Sequence, residues 1–454
     1  MAVSETLYRV KHLSSLAVVA AFALIAGCAT YHRLPLAKQP DLGASPVAET
    51  TAGPAAETGP VALDLERVGH LALARDPNLA AARVKAEVAQ AQAYDAGLLP
   101  DPTLALSLQH PYSGGASTDH HNAWSANLTE SLIGLITHGD RHSAASAHYA
   151  ETLLSWRWQA EQVTLKAQVT YLDVWADQRE VAALQAEANA AQAVLAAAGK
   201  AHAAGALAAV LYQQALQQAA SVRSRLQTAS DRAIQQQTAL ATLLRIRADR
   251  KWRLEAPQPM SAPAPATVEA ALEQLPKRRL DLLALQAGYR SANANLRADI
   301  LAQFPILDIG FTRSRDNTGV NSVGFGITLR IPIFNGNRGK IAIDRATRKA
   351  LNAAYQAHLD GAANGVRAAY ARLLLTRHEL VAVTAQLPAL AAAAHANQRA
   401  LAHGEVTRFQ SFAALSAWLD ARMDADRLRA NAAQFALTLR TLLALPPSST
   451  GTPT

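Results

Sequence analysis

Cysteine is almost missing. The chain has one, Cys28, in 454 residues, so no disulfide can close within it and no thiolate metal cluster can be built. Aromatic residues make up 5% and charged residues 17%, less than a large globular core under an ordinary charged surface uses. Three methionines are too few for a ladder of soft-metal ligands. Beyond the N-terminus no run of ~18 uninterrupted apolar residues occurs, so no membrane-spanning helix is expected, and any crossing has to be made of strands. There is no Gly-rich phosphate loop, nucleophile elbow or HExxH, and the run GNRGK (336–340) lacks P-loop spacing. The chain is therefore not read as an enzyme, and no cofactor is expected. A net charge of +8 is spread along helix faces without aromatic interleaving, which argues against nucleic acid as a partner.

What the chain does have is alanine, mixed with Leu, Val, Gln and Arg, the composition of long helices that pack closely along their sides. The N-terminus carries Arg9, Lys11 and His12, then the apolar LSSLAVVAAFAL, then IAGC, which predicts an export signal over 1–27. Ile25-Ala26-Gly27-Cys28 resembles the bacterial lipobox, making Cys28 the expected lipidated residue; the alternative is a free thiol behind an ordinary signal. Ala29 rather than Asp follows it, which favours outer-membrane sorting. Residues 28–60, rich in Pro, Gly, Ala and Thr, read as a flexible lipidated tether, and 447–454 as a disordered tail.

The remainder is written twice. A shift of 203 lays Asp76-Pro77-Asn78-Leu79 on Arg279-Leu280-Asp281-Leu282 and Pro102 on Pro305. A shift of 199 lays Gly205 on Gly404, and Leu243, Leu244 and Ile246 on Leu442, Leu443 and Leu445. The halves are 61–250 and 268–446, joined by a Pro-rich linker over 251–267. Each predicts a helix of ~35 residues, two strands, a helix of roughly 55–60, a break at Gly and a helix of ~40.

The predicted strands cover 103–110, 122–129, 306–314 and 322–331. Leu104, Leu106 and Leu108, then Trp124, Ala126 and Leu128, then Leu307, Ile309 and Phe311, then Val323, Phe325, Ile327, Leu329 and Ile331 alternate with small or polar residues. Four such strands alone form an open sheet with two bare edges. Either the helices cover the apolar face, although they are far too long for so small a sheet, or several copies pool their strands into a closed barrel facing lipid.

Cys28, GLLPDPTL (97–104), FPILDIG (304–310), ITLRIPIFNGNRGK (327–340) and the breaks at Gly205 and Gly404, in this order and duplicated, resemble the TolC-type outer-membrane factors of tripartite efflux and secretion systems. The resemblance covers 61–446. It implies a mainly α fold with a small β part, in which long coiled-coil helices form a periplasmic α-barrel. Four strands per chain would make a twelve-stranded transmembrane barrel in a homotrimer. It further implies a Gram-negative outer-membrane location in contact with lipid, a periplasmic adaptor docking at tips Gly205, Ala206, Leu207, Gly404, Glu405 and Val406, and a proton-driven inner-membrane pump. Asp308, Thr312, Thr328 and Arg330 would line the channel, with Glu405 and Arg408 as a tip gate. The ring of Asp that some members carry past the second tip is replaced here by Gln410, Ser411, Phe412 and Ala413.

The lipidated, Ala-rich pattern and the wording of the hairpins look most like the heavy-metal branch of the cobalt-zinc-cadmium and copper-silver type. His110, His120, His121, His138, His142 and His148 cluster around the first hairpin. Imidazole suits Zn, Co, Ni and Cu(II), and His138 with His142 has i, i+4 spacing, so His120, His121, His138 and His142 are candidate ligands. The alternative is that they are solvated and ligate nothing. Efflux of heavy-metal cations is the expected function; multidrug efflux, type I protein secretion and a structural helical lipoprotein stay open.

Overall fold

The computed structural model describes residues 33, 34, 36, 61–112, 121–246 and 252–445. Cys28, the signal, the tether apart from 33, 34 and 36, His120 and the 447–454 tail fall outside them. The chain divides into two units, 1–42 and 43–454; of the first, only three residues are described, none in a regular element. The second holds the fold.

Its elements run β1 (Val61–Leu63), α1 (Leu65–Arg75), α2 (Pro77–Ala96), β2 (Thr103–Gln109), β3 (Ala123–Ser131), α3 (Leu132–Ala203) and α4 (Ala209–Leu244). They continue as β4 (Trp252–Leu254), α5 (Pro265–Arg278), α6 (Leu280–Leu301), β5 (Ile306–Arg315), β6 (Asn321–Arg330), α7 (Arg338–Ala402) and α8 (Arg408–Leu442). Each half is thus a short strand, two helices, a hairpin strand pair, a very long helix and its returning partner.

The expected ~35-residue opening helix is two helices in each half. Pro77 bars helical geometry at Asp76, which sits at φ −69°, ψ 116° and caps α2 by accepting from the Leu79 N–H at 2.8 Å. At the matching break Arg279 takes φ −75°, ψ 121°, its guanidinium turned onto Asp281 at 2.8 and 3.0 Å. The long helices exceed expectation, at 72 and 65 residues. Leu132 follows Ser131 of β3 with no loop between, and no proline interrupts 132–203. Strands β1 and β4, too short to alternate visibly, pair in parallel with Val61 opposite Trp252, and β4 lies inside the expected linker.

The spine is α3. It packs on α1, α2 and α4 of its own half and on α6 and α8 of the other, while α7 packs on α6 and α8. One core surrounds the β1–β4 pair, with Leu63, Val68, Tyr171, Leu172, Trp175, Leu240, Leu244 and Trp252 buried. The Tyr171 hydroxyl lies between Leu63 O and Glu255 O at 2.7 and 2.9 Å, and burial pushes its pKa up to about 12. A second core joins α5, α6, α7 and α8 through Val268, Leu275, Leu282, Val366, Leu373 and Leu439. A third, built of Ala191, Val194, Ala198, Ala215, Val222 and Phe412, zips the helices toward their tips. One stretch of α7 is apolar enough on average to cross a membrane, yet α7 is the paired partner of α8; Leu375 and Val381 on it are exposed in the single chain.

Candidate functional site

The four long strands form one antiparallel sheet in the order β2-β3-β5-β6. Register sorts their side chains cleanly. On one face Leu104, Leu128, Phe311 and Phe325 fall in line across all four strands, with Leu106, Ile309 and Ile327 beside them. On the other, Ser107, Ser125, Ser314 and Ser322 form a single row, and Ala105, Asn127, Thr312 and Gly324 form the next. Hydrogen bonds tie this polar face together: Ser107 Oγ lies 2.8 Å from Ser125 Oγ, and Thr312 Oγ1 donates to Asn127 Oδ1 at 3.2 Å. Asp308 stands opposite Thr328 on the same face, with Arg330 one step along it. The four residues expected to line a channel therefore share one surface, and Asp308 and Arg330 are its charged members among the described strand residues.

The apolar face is bare. Leu106 is 73% and Phe325 69% exposed, and α3 meets the sheet at β5, leaving these positions open. Both edges are open as well among the described residues, since β2 and β6 each have one partner. Such a face and two unpaired edges demand another surface. Sequence alternation showed the apolar positions but missed the charges at the ends of this face, Glu130 in line with Ile309 and Arg313 in line with Val323.

At the opposite end both helix pairs reverse by the same device. Gly205 and Gly404 take left-handed φ of 69° and 74°, which glycine adopts without the Cβ penalty. Behind them Ala206 N–H donates to Ala201 O at 2.8 Å and Glu405 N–H to Ala400 O at 2.9 Å, the bond that closes a helix C-terminus. Ala206 and Glu405 are exposed, whereas Leu207 and Val406 are half-buried under the turns. Thr407 and Gln410 then start α8 with a reciprocal capping box. Glu405 and Arg408 form no ion pair with each other within the described chain. A cavity of about 210 Å³ opens just above this turn between α3, α7 and α8, lined among others by Val194, His395, Phe412 and Trp418.

The ionic contacts lie higher, as a ladder that sequence reading did not find. Arg232 of α4 and Arg427 of α8 both hold Asp177 and Glu180 of α3. Arg225 bridges Glu187 of α3 and Asp420 of α8 at 3.4 and 2.7 Å, and Ser416 Oγ donates to Glu187 at 2.6 Å. Arg179 meets Asp426 at 3.3 Å, and Gln434 donates to Asp173 at 2.7 Å. Burial would push Glu180 up, but the two guanidiniums outweigh it and hold its pKa below the usual carboxylate value. Burial does prevail at Asp173, raising its pKa against the Gln434 hydrogen bond.

The histidines do not gather. His138 Nε2 lies 3.1 Å from Gly97 O and His142 Nδ1 3.2 Å from Ala93 O. A carbonyl oxygen accepts, so each of these nitrogens carries a proton; the two stacked rings finish the C-terminus of α2, and the second nitrogen of each keeps its lone pair. His110 Nδ1 pairs with Asn122 Oδ1 at 2.7 Å. The His121 ring lies beside the Arg315 guanidinium at Gly319, a poor place for a cation. Among the described residues no group of three or more His, Cys, Asp or Glu side chains is placed to hold a metal. Of the four candidate ligands, His138 and His142 stand together on α3, His121 lies at the far turn, and His120 lies outside the described residues.

Residues 271–445 match the family model described as outer membrane efflux protein. No curated protein sequence matches the chain. Among solved structures, the fold resembles a membrane protein from Pseudomonas aeruginosa, with TM-score 0.69 and 21% identity over 85% of this chain and 91% of that one. It also resembles CusC, in a study of transmembrane channel formation, with TM-score 0.67 and 18% identity over 90% and 98%. A third likeness is to the CmeC outer membrane channel of Campylobacter jejuni, with TM-score 0.69 and 16% identity over 91% and 94%. At these identities the likeness is one of fold.

Proposed function

We propose that this chain is the outer-membrane exit channel of a tripartite efflux system. Three copies would close their sheets into one twelve-stranded barrel. The observation that carries the reading is the four-stranded sheet with one bare apolar face and two open edges. Its strands alternate in direction, so β2 and β6 run opposite ways, and β6 of one copy can pair antiparallel with β2 of the next. A head-to-tail contact of that kind closes into a ring. Closure pairs every edge, turns Leu106 and Phe325 to lipid and leaves the serine row, Asp308, Thr312, Thr328 and Arg330 around a water-filled lumen. The helices, ~108 Å long in α3, would reach through the periplasm to an adaptor docked at the Gly205 and Gly404 turns, with a proton-driven pump beyond it and Cys28 lipidated at the outer membrane.

Heavy-metal cations are the proposed cargo on the strength of the sequence resemblance alone. A duct needs no ligand set for them, because conduction works through weak sites. Detergent extraction should yield a heat-resistant oligomer of three times the chain mass that conducts in planar bilayers. A monomer that stays soluble once the N-terminal lipid is removed would sink the proposal. For the cargo, loss of the protein should sensitise its host to Zn, Co, Cd, Cu or Ag; sensitivity to hydrophobic drugs alone would move the assignment to multidrug efflux.

A further inference from the structure

The apolar face of the sheet ends in positive charge. Register places Arg313 in line with Leu106, Ala126 and Val323, and Arg315 in line with Leu108, Trp124 and Asn321. Arginines at the middle of a lipid-facing wall are strongly unfavourable. These two are not at the middle. Six residue steps separate Leu307, the first residue of β5 on this face, from Arg313, ~20 Å along the strand, which a tilt of 35–45° reduces to roughly 15 Å of height. The exposed Phe304, Ile333 and Phe334 below extend the apolar band toward the ~25 Å of an outer-membrane barrel. Arg313 and Arg315 thus fall at headgroup level on the side away from the helices, with an indole beside them, a pairing suited to an interface.

The chain supplies these guanidiniums with no counter-ion among the described residues. Arg315 Nε is buried without a hydrogen-bond partner. Asp316, next in sequence, is committed to its own turn, where Oδ1 accepts from Thr318 N–H, Thr318 Oγ1 and Val320 N–H. Glu130, the carboxylate on this face, lies toward the helical end, in line with Ile309. Across the turn a ring carbon of His121 and Arg315 Nη2 come within 3.3 and 3.4 Å of the point a Cβ would take on Gly319, so a third group that can carry positive charge adjoins the same corner.

We propose that Arg313 and Arg315 bind the phosphate of an acylated phosphoglycolipid of the lipid A class, whose acyl chains lie along Leu106, Leu108, Val323 and Phe325. The inference rests on the channel reading, which turns this face outward and this end to the outer leaflet. Guanidinium matches phosphate oxygens in fork geometry, and the bonds are charge-assisted.

The full chain, purified in detergent, is mixed with lipid A, with its dephosphorylated form or with phosphatidylglycerol, and retained lipid is counted by native mass spectrometry. The wild-type oligomer should keep lipid A, an Arg313→Gln/Arg315→Gln variant should hold it at least about ten-fold more weakly, and Arg313→Lys/Arg315→Lys should fall between. Equal retention by the double Gln variant, or of the dephosphorylated form, overturns the phosphate site; equal retention of phosphatidylglycerol overturns the choice of a glycolipid. Bilayer conductance of the same preparations separates the two proposals. A chain that neither oligomerises nor conducts sinks the channel reading, whereas a conducting oligomer indifferent to lipid A sinks only this inference.

Discussion

Replacing Arg427 with Met tests whether the ladder between α3, α4 and α8 holds the two halves together. Asp177 is 1% exposed and accepts from Arg232 and Arg427; Glu180 shares both donors. Removing one partner of a fully buried pair costs about 3–5 kcal/mol, because the other charge is stranded. Here Arg232 remains and the Arg427 side chain is 31% exposed, so about 2–3 kcal/mol is expected, discounted for solvent screening. The loss is local, and amide hydrogen exchange in α8 around 416–434 reads it without assuming a single unfolding step. At about 1.4 kcal/mol per factor of ten, those amides should exchange roughly 30 to 150 times faster. Arg422→Met, which removes a cation 5.6 Å from the Trp418 ring centroid, should change exchange far less. Adding Asp177→Asn to Arg427→Met relieves the stranded charge and should recover part of the loss. Exchange in Arg427→Met within threefold of wild type, or no recovery in the double variant, would refute the reasoning.

Three further outcomes follow from other parts of the fold. Gly404→Val forces a β-branched residue to φ 74° and should cost about 1–2 kcal/mol, while Gly404→Asn should cost less, read as faster proteolytic nicking at the tip for Val alone. Phe325→Arg puts a charge on the outward face at about 2–4 kcal/mol and should reduce the heat-resistant oligomer on gels, whereas Thr328→Arg, on the opposite face, should leave assembly intact. Burial raises Asp173 above its ordinary 3.8, so the native state binds more protons than the unfolded one between that value and the raised pKa, and stability falls as pH rises through this window. Asp173→Asn, still able to meet Gln434, should therefore gain on wild type in melting experiments above the window and lose the advantage near pH 3.

Period-two alternation located the strands within a residue or two, because a half-buried pleat leaves that pattern whatever surrounds it. Gly205 and Gly404 were legible for a similar reason, since a left-handed turn closing a helix selects glycine locally. Other features depend on partners far away in the chain. Asp177 and Arg427 are 250 positions apart, and nothing near either one announces the other. His138 and His142 had ligand spacing, but spacing carries no information about Gly97 O and Ala93 O, each of which takes one of their ring nitrogens. The opening helix was read as one element in each half; Pro77 was visible at the first break, while the matching position in the second half is Leu280 rather than proline. Arg313 and Arg315 lay in plain view and went unremarked, since an alternation count credits the apolar residues and passes over a charge that lands on their face.

The length of α3 has a mechanical consequence. Its 72 residues make an arm of ~108 Å, so a rotation of about 5° where β3 becomes helix would sweep the Gly205 turn through ~9 Å. The pairing at Glu187 clamps that arm 18 residues short of Gly205, leaving a free end of ~27 Å, for which the same angle yields ~2 Å. Leverage at the mouth is thus set by where along α3 the last closed ionic contact sits, and releasing contacts one rung at a time would lengthen the swinging end in steps rather than continuously.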